Sequence, residues 1–126
     1  MLRFEATVHS LRQPPVGLAA LSVSFEAAYS HLAQLPRLFI EPDGSFVWRG
    51  SDSNGDPWQV DGNLIDRGDA LAFAEIKGCC PSERLDELLT ALGWPEQRLV
   101  FQLPQRGVVL DEADFRRQAA AEAGAV

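Results

Sequence analysis

An α+β domain is predicted, with a single mainly antiparallel sheet of about five to six strands and helices packed mostly on one of its faces. Three observations carry that prediction. Several short segments alternate apolar and polar residues, as half-buried strands do. Leu85, Leu88, Leu89 and Leu92 repeat at helical spacing and need a sheet face to cover them. Turn residues separate these segments at short intervals, at Pro14, Pro15 and Gly17, at 41–44 (EPDG), at Asn54–Gly55 and at 66–69.

Residues 3–11 open the chain as a strand, with Phe4, Ala6, Val8 and Ser10 on one side, and Pro14 and Pro15 end it. Residues 18–23 fit either a strand or an extra helical turn. Phe25, Ala28, Tyr29, Leu32 and Leu35 then mark a helix that Ser24 can cap, with Pro36 closing it. Residues 37–41 and 45–50 flank the EPDG turn as a hairpin, with Phe46 and Trp48 on one face. A second hairpin spans 58–78. Pro81 at the first helical position starts the leucine helix, and Gly93 and Trp94 suit a Schellman end. Residues 98–103 read as a strand and 108–110 as a short one. Asp111 caps a last helix.

The register of the 58–78 hairpin decides which polar groups meet. A three-residue loop, Asp66–Arg67–Gly68, places Gly68 in the left-handed position and Ile65 opposite Asp69. It collects Trp58, Val60, Leu64, Ala70, Ala72, Ala74 and Ile76 under the leucine helix. It leaves Gln59, Asp61, Asn63, Glu75 and Lys77 on the second face, with the apolar Ile65, Leu71 and Phe73 among them. A two-residue Arg67–Gly68 turn slips the pairing by one and sends Asp61 and Glu75 to opposite sides.

The 126 residues form one domain, 1–126, long enough to bury about two thirds of their unfolded surface. The net charge of −7 makes nucleic acid an unexpected partner, since phosphate backbones need neutralising cations. Seven acids against Arg49 and Arg67 within 41–69 argue the same way. No apolar run is long enough to span a bilayer, and residues 1–11 lack signal-peptide character. Two adjacent cysteines, Cys79 and Cys80, make no disulfide framework, so a reducing cytoplasm is expected.

Asp61 with Glu75 and Lys77 is the sharpest chemical pattern. Residues two apart on a strand face the same way, and a diagonal neighbour on the next strand lies about 7–8 Å off. Two carboxylates so placed can share a Mg²⁺, and a lysine beside them can stabilise developing phosphate charge. The acid on one strand with E-x-K on the next resembles the restriction-endonuclease-like superfamily of metal-dependent nucleases, over roughly residues 24–103. That resemblance implies Asp61 and Glu75 as metal ligands and Lys77 as the catalytic lysine. The plainer reading of the same residues is a solvated acidic face with Lys77 paired to Glu75.

The remaining candidates are weaker. The run 52–56 (DSNGD) lacks the sixth-position Gly and twelfth-position Glu of a calcium loop and reads as a surface turn. Cys80 near a helix start is a candidate low-pKa nucleophile, although a buried apolar role suits both cysteines. Trp48, Trp58 and Trp94 read as core, and His9 and His31 as surface or packing residues.

The first functional expectation is a non-enzymatic protein-interaction or small-ligand-binding module with no cofactor. Its partner would be another protein or a second copy, docked on the half-apolar sheet face. The alternative expectation is a Mg²⁺-dependent phosphodiesterase built on Asp61, Glu75 and Lys77.

Overall fold

Each long strand of this chain has one apolar flank to bury, and the fold satisfies all of them with a single layer of helices. The computed structural model describes residues 1–12, 17–68 and 70–124. The strands are β1 (Leu2–Arg12), β2 (Gly17–Ala19), β3 (Leu38–Ile40), β4 (Ser45–Ser51), β5 (Pro57–Arg67), β6 (Ala70–Cys80), β7 (Leu99–Leu103) and β8 (Val108–Asp111). The helices are α1 (Phe25–Ala33), α2 (Ser82–Ala91) and α3 (Glu112–Gly124). One eight-stranded sheet runs β3-β4-β5-β6-β1-β7-β8, with β2 pairing β1, and every described pairing is antiparallel.

The sheet has eight strands against the expected five to six, with the short strand read at 108–110 present as β8 and the open 18–23 segment starting in β2. Residues 17–19 pair with the end of β1, so the segment left open between strand and helix is extended. Leu21 beyond it bridges to Leu71, its N–H donating to the Leu71 carbonyl at 2.9 Å. Val108–Asp111 pairs fully with β7. The break at Pro14 and Pro15, and Asp69, lie outside the described residues.

All three helices bury their apolar residues in the same core. Leu2, Phe4, Ala6 and Val8 of β1 meet Val60 and Leu64 of β5, Ala74 and Ile76 of β6 and Phe101 of β7 on the inward face. Ala28 and Leu32 of α1, Leu85, Leu88 and Leu89 of α2, and Phe115 and Ala119 of α3 cover them. The rings of Phe115 and Phe101 stack at 4.1 Å, and Trp48 meets Trp58 edge-on at 5.1 Å. The expected caps are present: Ser24 accepts from the Ala27 N–H at 3.0 Å and Asp111 from that of Asp114 at 2.8 Å. At the end of α2 the Trp94 N–H donates to the Leu89 carbonyl and the Gly93 N–H to that of Thr90, a Schellman motif. Pro81 is the cap residue rather than the first helical one.

The β5–β6 register differs from both registers considered. Asp61 faces Lys77, Asn63 faces Glu75 and Ile65 faces Phe73, not Asp69. Alternation fixes only which face a side chain takes, so registers two pleats apart bury the same residues and look alike in sequence. The face assignment for Asp61, Glu75 and Lys77 is therefore the expected one, although the pairing is not. Gly68 takes the left-handed conformation, φ 64°.

Near the turn the pattern breaks. Ile65 pairs with Phe73 but Asp66 with Leu71, which leaves Ala72 without a partner as a β-bulge. The extra residue reverses the alternation. Leu71, expected on the second face, turns into the core and is fully buried, while Ala70 is exposed and Ala72 half-buried. We expect Leu71→Ala to lower unfolding free energy by about 2–5 kcal/mol, the range for a buried Leu truncation. Urea denaturation checks this: a loss below about 0.5 kcal/mol, typical of a surface change, would contradict the inward position.

Candidate functional site

The outward face of the sheet carries the polar side chains, arranged in rows by the registers of five strands. Arg49 of β4 pairs with Gln59 of β5, Gln59 with Cys79 of β6, and Cys79 with Arg3 of β1. The next row runs Val47, Asp61, Lys77, Glu5. The one after runs Ser45, Asn63, Glu75, Thr7, Gln102. These are direct cross-strand neighbours, with Cβ atoms about 4.5–5.5 Å apart.

Asp61, Glu75 and Lys77 thus share the outward face, all exposed. They are engaged locally. Gln59 donates to Asp61 at 2.8 Å. Lys77 pairs with Glu5 at 3.4 Å, not with Glu75. Glu5 sits directly across the strand gap from Lys77, whereas Glu75 is a full pleat away along β6. A solvated pair of this kind contributes at most about 1 kcal/mol. A depression of about 330 Å³ lies over Asp61, Glu75 and Lys77. Among the described residues no three His, Cys, Asp or Glu side chains converge as a metal site.

A larger hollow of about 880 Å³ covers the first row. It is bordered by five cations, Arg3, Arg37, Arg49, Lys77 and Arg106, against two carboxylates, Glu5 and Glu122. The 104–107 turn forms one wall and is held from two sides. Gln105 donates to Glu5 at 2.8 Å, and Arg106 pairs with Glu122 of α3. At the opposite wall Arg37 extends the β3–β4 pairing, its carbonyl accepting from the Arg49 N–H at 3.4 Å. Arg37 also occupies the third position of the 35–38 turn, closed by the Leu38 N–H on the Leu35 carbonyl, with φ 66°. That position favours glycine.

The sequence singled out Lys77 but not Arg3, Arg37, Arg49 or Arg106. Bringing these together depends on β6 pairing with β1, residues some 70 positions apart, and no local pattern announces that pairing. Burial of Cys80 pushes its thiol up to about 12, the reverse of an activated nucleophile. Cys79 instead lies half-buried on the hollow's floor. The run 52–56 is a surface turn, with Asp52 accepting from the Asn54 and Asp56 N–H groups at 2.9 Å.

Farther along the same face, Ile65, Phe73 and His9 form the apolar end. The loss of Leu71 to the core shrinks the half-apolar patch expected there. The largest exposed apolar side chains of the sheet stand at its edges instead, Phe39 on β3 and Val108 and Val109 on β8. His9 stacks on Phe73 at 5.2 Å and shares a hydrogen bond with the Thr7 hydroxyl at 2.8 Å.

No protein-family model, curated protein or solved structure matches the chain. No helix among the described residues is long and apolar enough to cross a membrane.

Burial lowers the His9 pKa below its ordinary 6.5. The unfolded chain therefore takes up a proton at a pH where folded His9 does not. Its contribution to stability is complete above about 6.5 and declines as pH falls toward the depressed folded value. We expect His9→Gln to weaken the fall in urea midpoint from neutral pH down to about pH 5.5. Parallel midpoint curves for the two proteins would contradict this.

Proposed function

We propose that this chain is a non-enzymatic small-ligand-binding module whose site is the hollow over Arg49, Gln59, Cys79 and Arg3. The hollow itself carries the reading. Its volume falls in the range of pockets for small organic molecules, and its floor is a rigid sheet rather than a loop. Its side chains are suited to pairing and packing. Cys79, the nearest group to a nucleophile, lies between Gln59 and Arg3 rather than beside a base.

Cys79 also supplies the assay. Its thiol lines the hollow, while Cys80 is buried and held protonated. A compound seated there slows carbamidomethylation of Cys79 by iodoacetamide and raises the melting temperature. A ligand at a hundredfold excess over its Kd stabilises by about 2.7 kcal/mol. The expected result, from a panel of neutral, anionic and cationic metabolites, is at least one compound that does both. A panel with no such compound would remove the reading.

A second reading rests on a separate observation, the shared face of Asp61, Glu75 and Lys77. It makes the chain a Mg²⁺-dependent phosphodiesterase of the nuclease-like type, with Asp61 and Glu75 as ligands and Lys77 stabilising phosphate charge. Calorimetric titration with Mg²⁺ or Mn²⁺ then shows binding heat that Glu75→Ala abolishes. Absence of metal-dependent heat in both proteins disposes of it.

A further inference from the structure

We propose that the hollow takes a small organic or inorganic anion carrying more than one negative charge, held by the guanidinium groups of Arg3, Arg37 and Arg49. This rests on the hollow being a ligand site, and it names the chemical class of the ligand.

Pairing is the first argument. Acids outnumber bases 18 to 11 in this chain, so an arginine has ample opportunity to find a carboxylate. Arg84, Arg106, Arg116 and Arg117 each do so. Among the described residues six arginines make no ion pair, Arg3, Arg12, Arg37, Arg49, Arg67 and Arg98, and three of them, Arg3, Arg37 and Arg49, border one hollow. The hollow's two carboxylates are already engaged, Glu5 with Lys77 and Glu122 with Arg106.

Cost is the second. Arg37 lies beside Arg49 at the end of the β3–β4 ladder, its carbonyl accepting from the Arg49 N–H, and two like charges bordering the same hollow repel. Arg37 holds a left-handed conformation that glycine would take without strain. For stability alone a glycine would suit this position better. An anion bound by both guanidinium groups would offset both penalties.

Spacing is the third. The row places a guanidinium group without a carboxylate partner at each end, Arg49 with Arg37 beside it and Arg3, separated by the uncharged Gln59 and Cys79. Arg49 and Arg3 are three strand spacings apart, about 14 Å between backbones. Flexible arginine side chains reaching inward can meet an extended anion between them. The planar fork of each pairs two-pronged with phosphate or carboxylate oxygens, which share the required chemistry. A concave wall concentrates this local positive field within an otherwise acidic molecule.

The test compares alkylation of Cys79 by iodoacetate, an anion, with that by neutral iodoacetamide, each relative to a cysteine peptide. One uncompensated positive charge about 7 Å away changes the local anion concentration about threefold in water. The expected iodoacetate preference is therefore threefold or more at low salt. It should collapse at 1 M salt, where the screening length is about 3 Å. Pyrophosphate or citrate at millimolar concentration should protect Cys79. Protection by one and not the other distinguishes phosphate from carboxylate ligands.

Arg37→Gly is the decisive variant, because it relieves the turn. Its melting temperature should hold or rise while protection weakens severalfold, and Arg49→Gln should weaken it likewise with the turn untouched. An iodoacetate preference no greater than the peptide's overturns the inference, as does full protection in both variants. So does a raised preference with no protection by either anion. If a neutral compound protects Cys79 while both anions fail, the ligand class is wrong and the binding-module reading stands. If nothing of any class protects it, both fall.

Discussion

Asp61 stands across from Lys77, and Lys77 stands across from Glu5. That pair of alignments between β5, β6 and β1 decides both sides of the sheet at once. Strand geometry sends alternate residues to opposite faces, so setting Lys77 outward sets Ile76 inward. The same choice carries Phe4, Val60 and Ile76 beneath the helices and places Arg3, Gln59 and Cys79 in one outward row. Core and hollow are therefore two readings of a single register. Neither can be shifted by one residue without exchanging them. Gly78 marks how tightly the strands are drawn together at this point. A Cβ there would come within 2.1 Å of the Gln59 carbonyl oxygen, and its φ of 143° is one that other residues rarely adopt.

The molecule's charge is unevenly spread. Its excess of acid is dispersed over turns, helices and the outward face of the sheet, where it serves as caps, ion-pair partners and solvated surface. Five of the eleven bases border one hollow. Two of those five are spent on the architecture of the wall: Lys77 meets Glu5, and Arg106 ties the 104–107 turn to α3 through Glu122. On the helical side Arg116 performs a similar office. It pairs with Asp86 of α2 and Glu112 of its own helix, and its guanidinium lies 5.2 Å over the Trp94 ring. Ionic contacts thus brace the 104–107 turn, α2 and α3, and one of them crosses the β6–β1 seam on the outward face, while the core beneath is held by apolar packing.

Much of this fold was legible locally. The Ser24 and Asp111 caps, the Gly93–Trp94 Schellman end, the EPDG turn and the leucine stripe all depend on residues within a few positions of one another. So did the outward direction of Asp61, Glu75 and Lys77. What eluded sequence reasoning depends on distant pairing or on one inserted residue. The Ala72 bulge reversed the face of Leu71, and nothing in the run of alanines around it signals a bulge. Lys77 took Glu5 as its partner because β1 lies beside β6. Knowing only β6, the nearest acid is Glu75. The arginine row was hidden for the same reason, each member being unremarkable within its own strand.

The position of β1 has a further consequence. Leu2–Arg12 precedes both of its long neighbours in the chain and lies in the interior of the sheet, flanked by Ala70–Cys80 on one side and Leu99–Leu103 on the other. Phe4 finds its ring partner only in Phe115. During synthesis this alternating, half-apolar ribbon must wait for Ala70–Cys80 and Leu99–Leu103, with only Gly17–Ala19 close in sequence to pair its last three residues. Topologies dominated by such remote pairings fold slowly, and exposed ribbons are the usual seeds of aggregation. The ribbon is protected on both sides only once these two later strands have emerged.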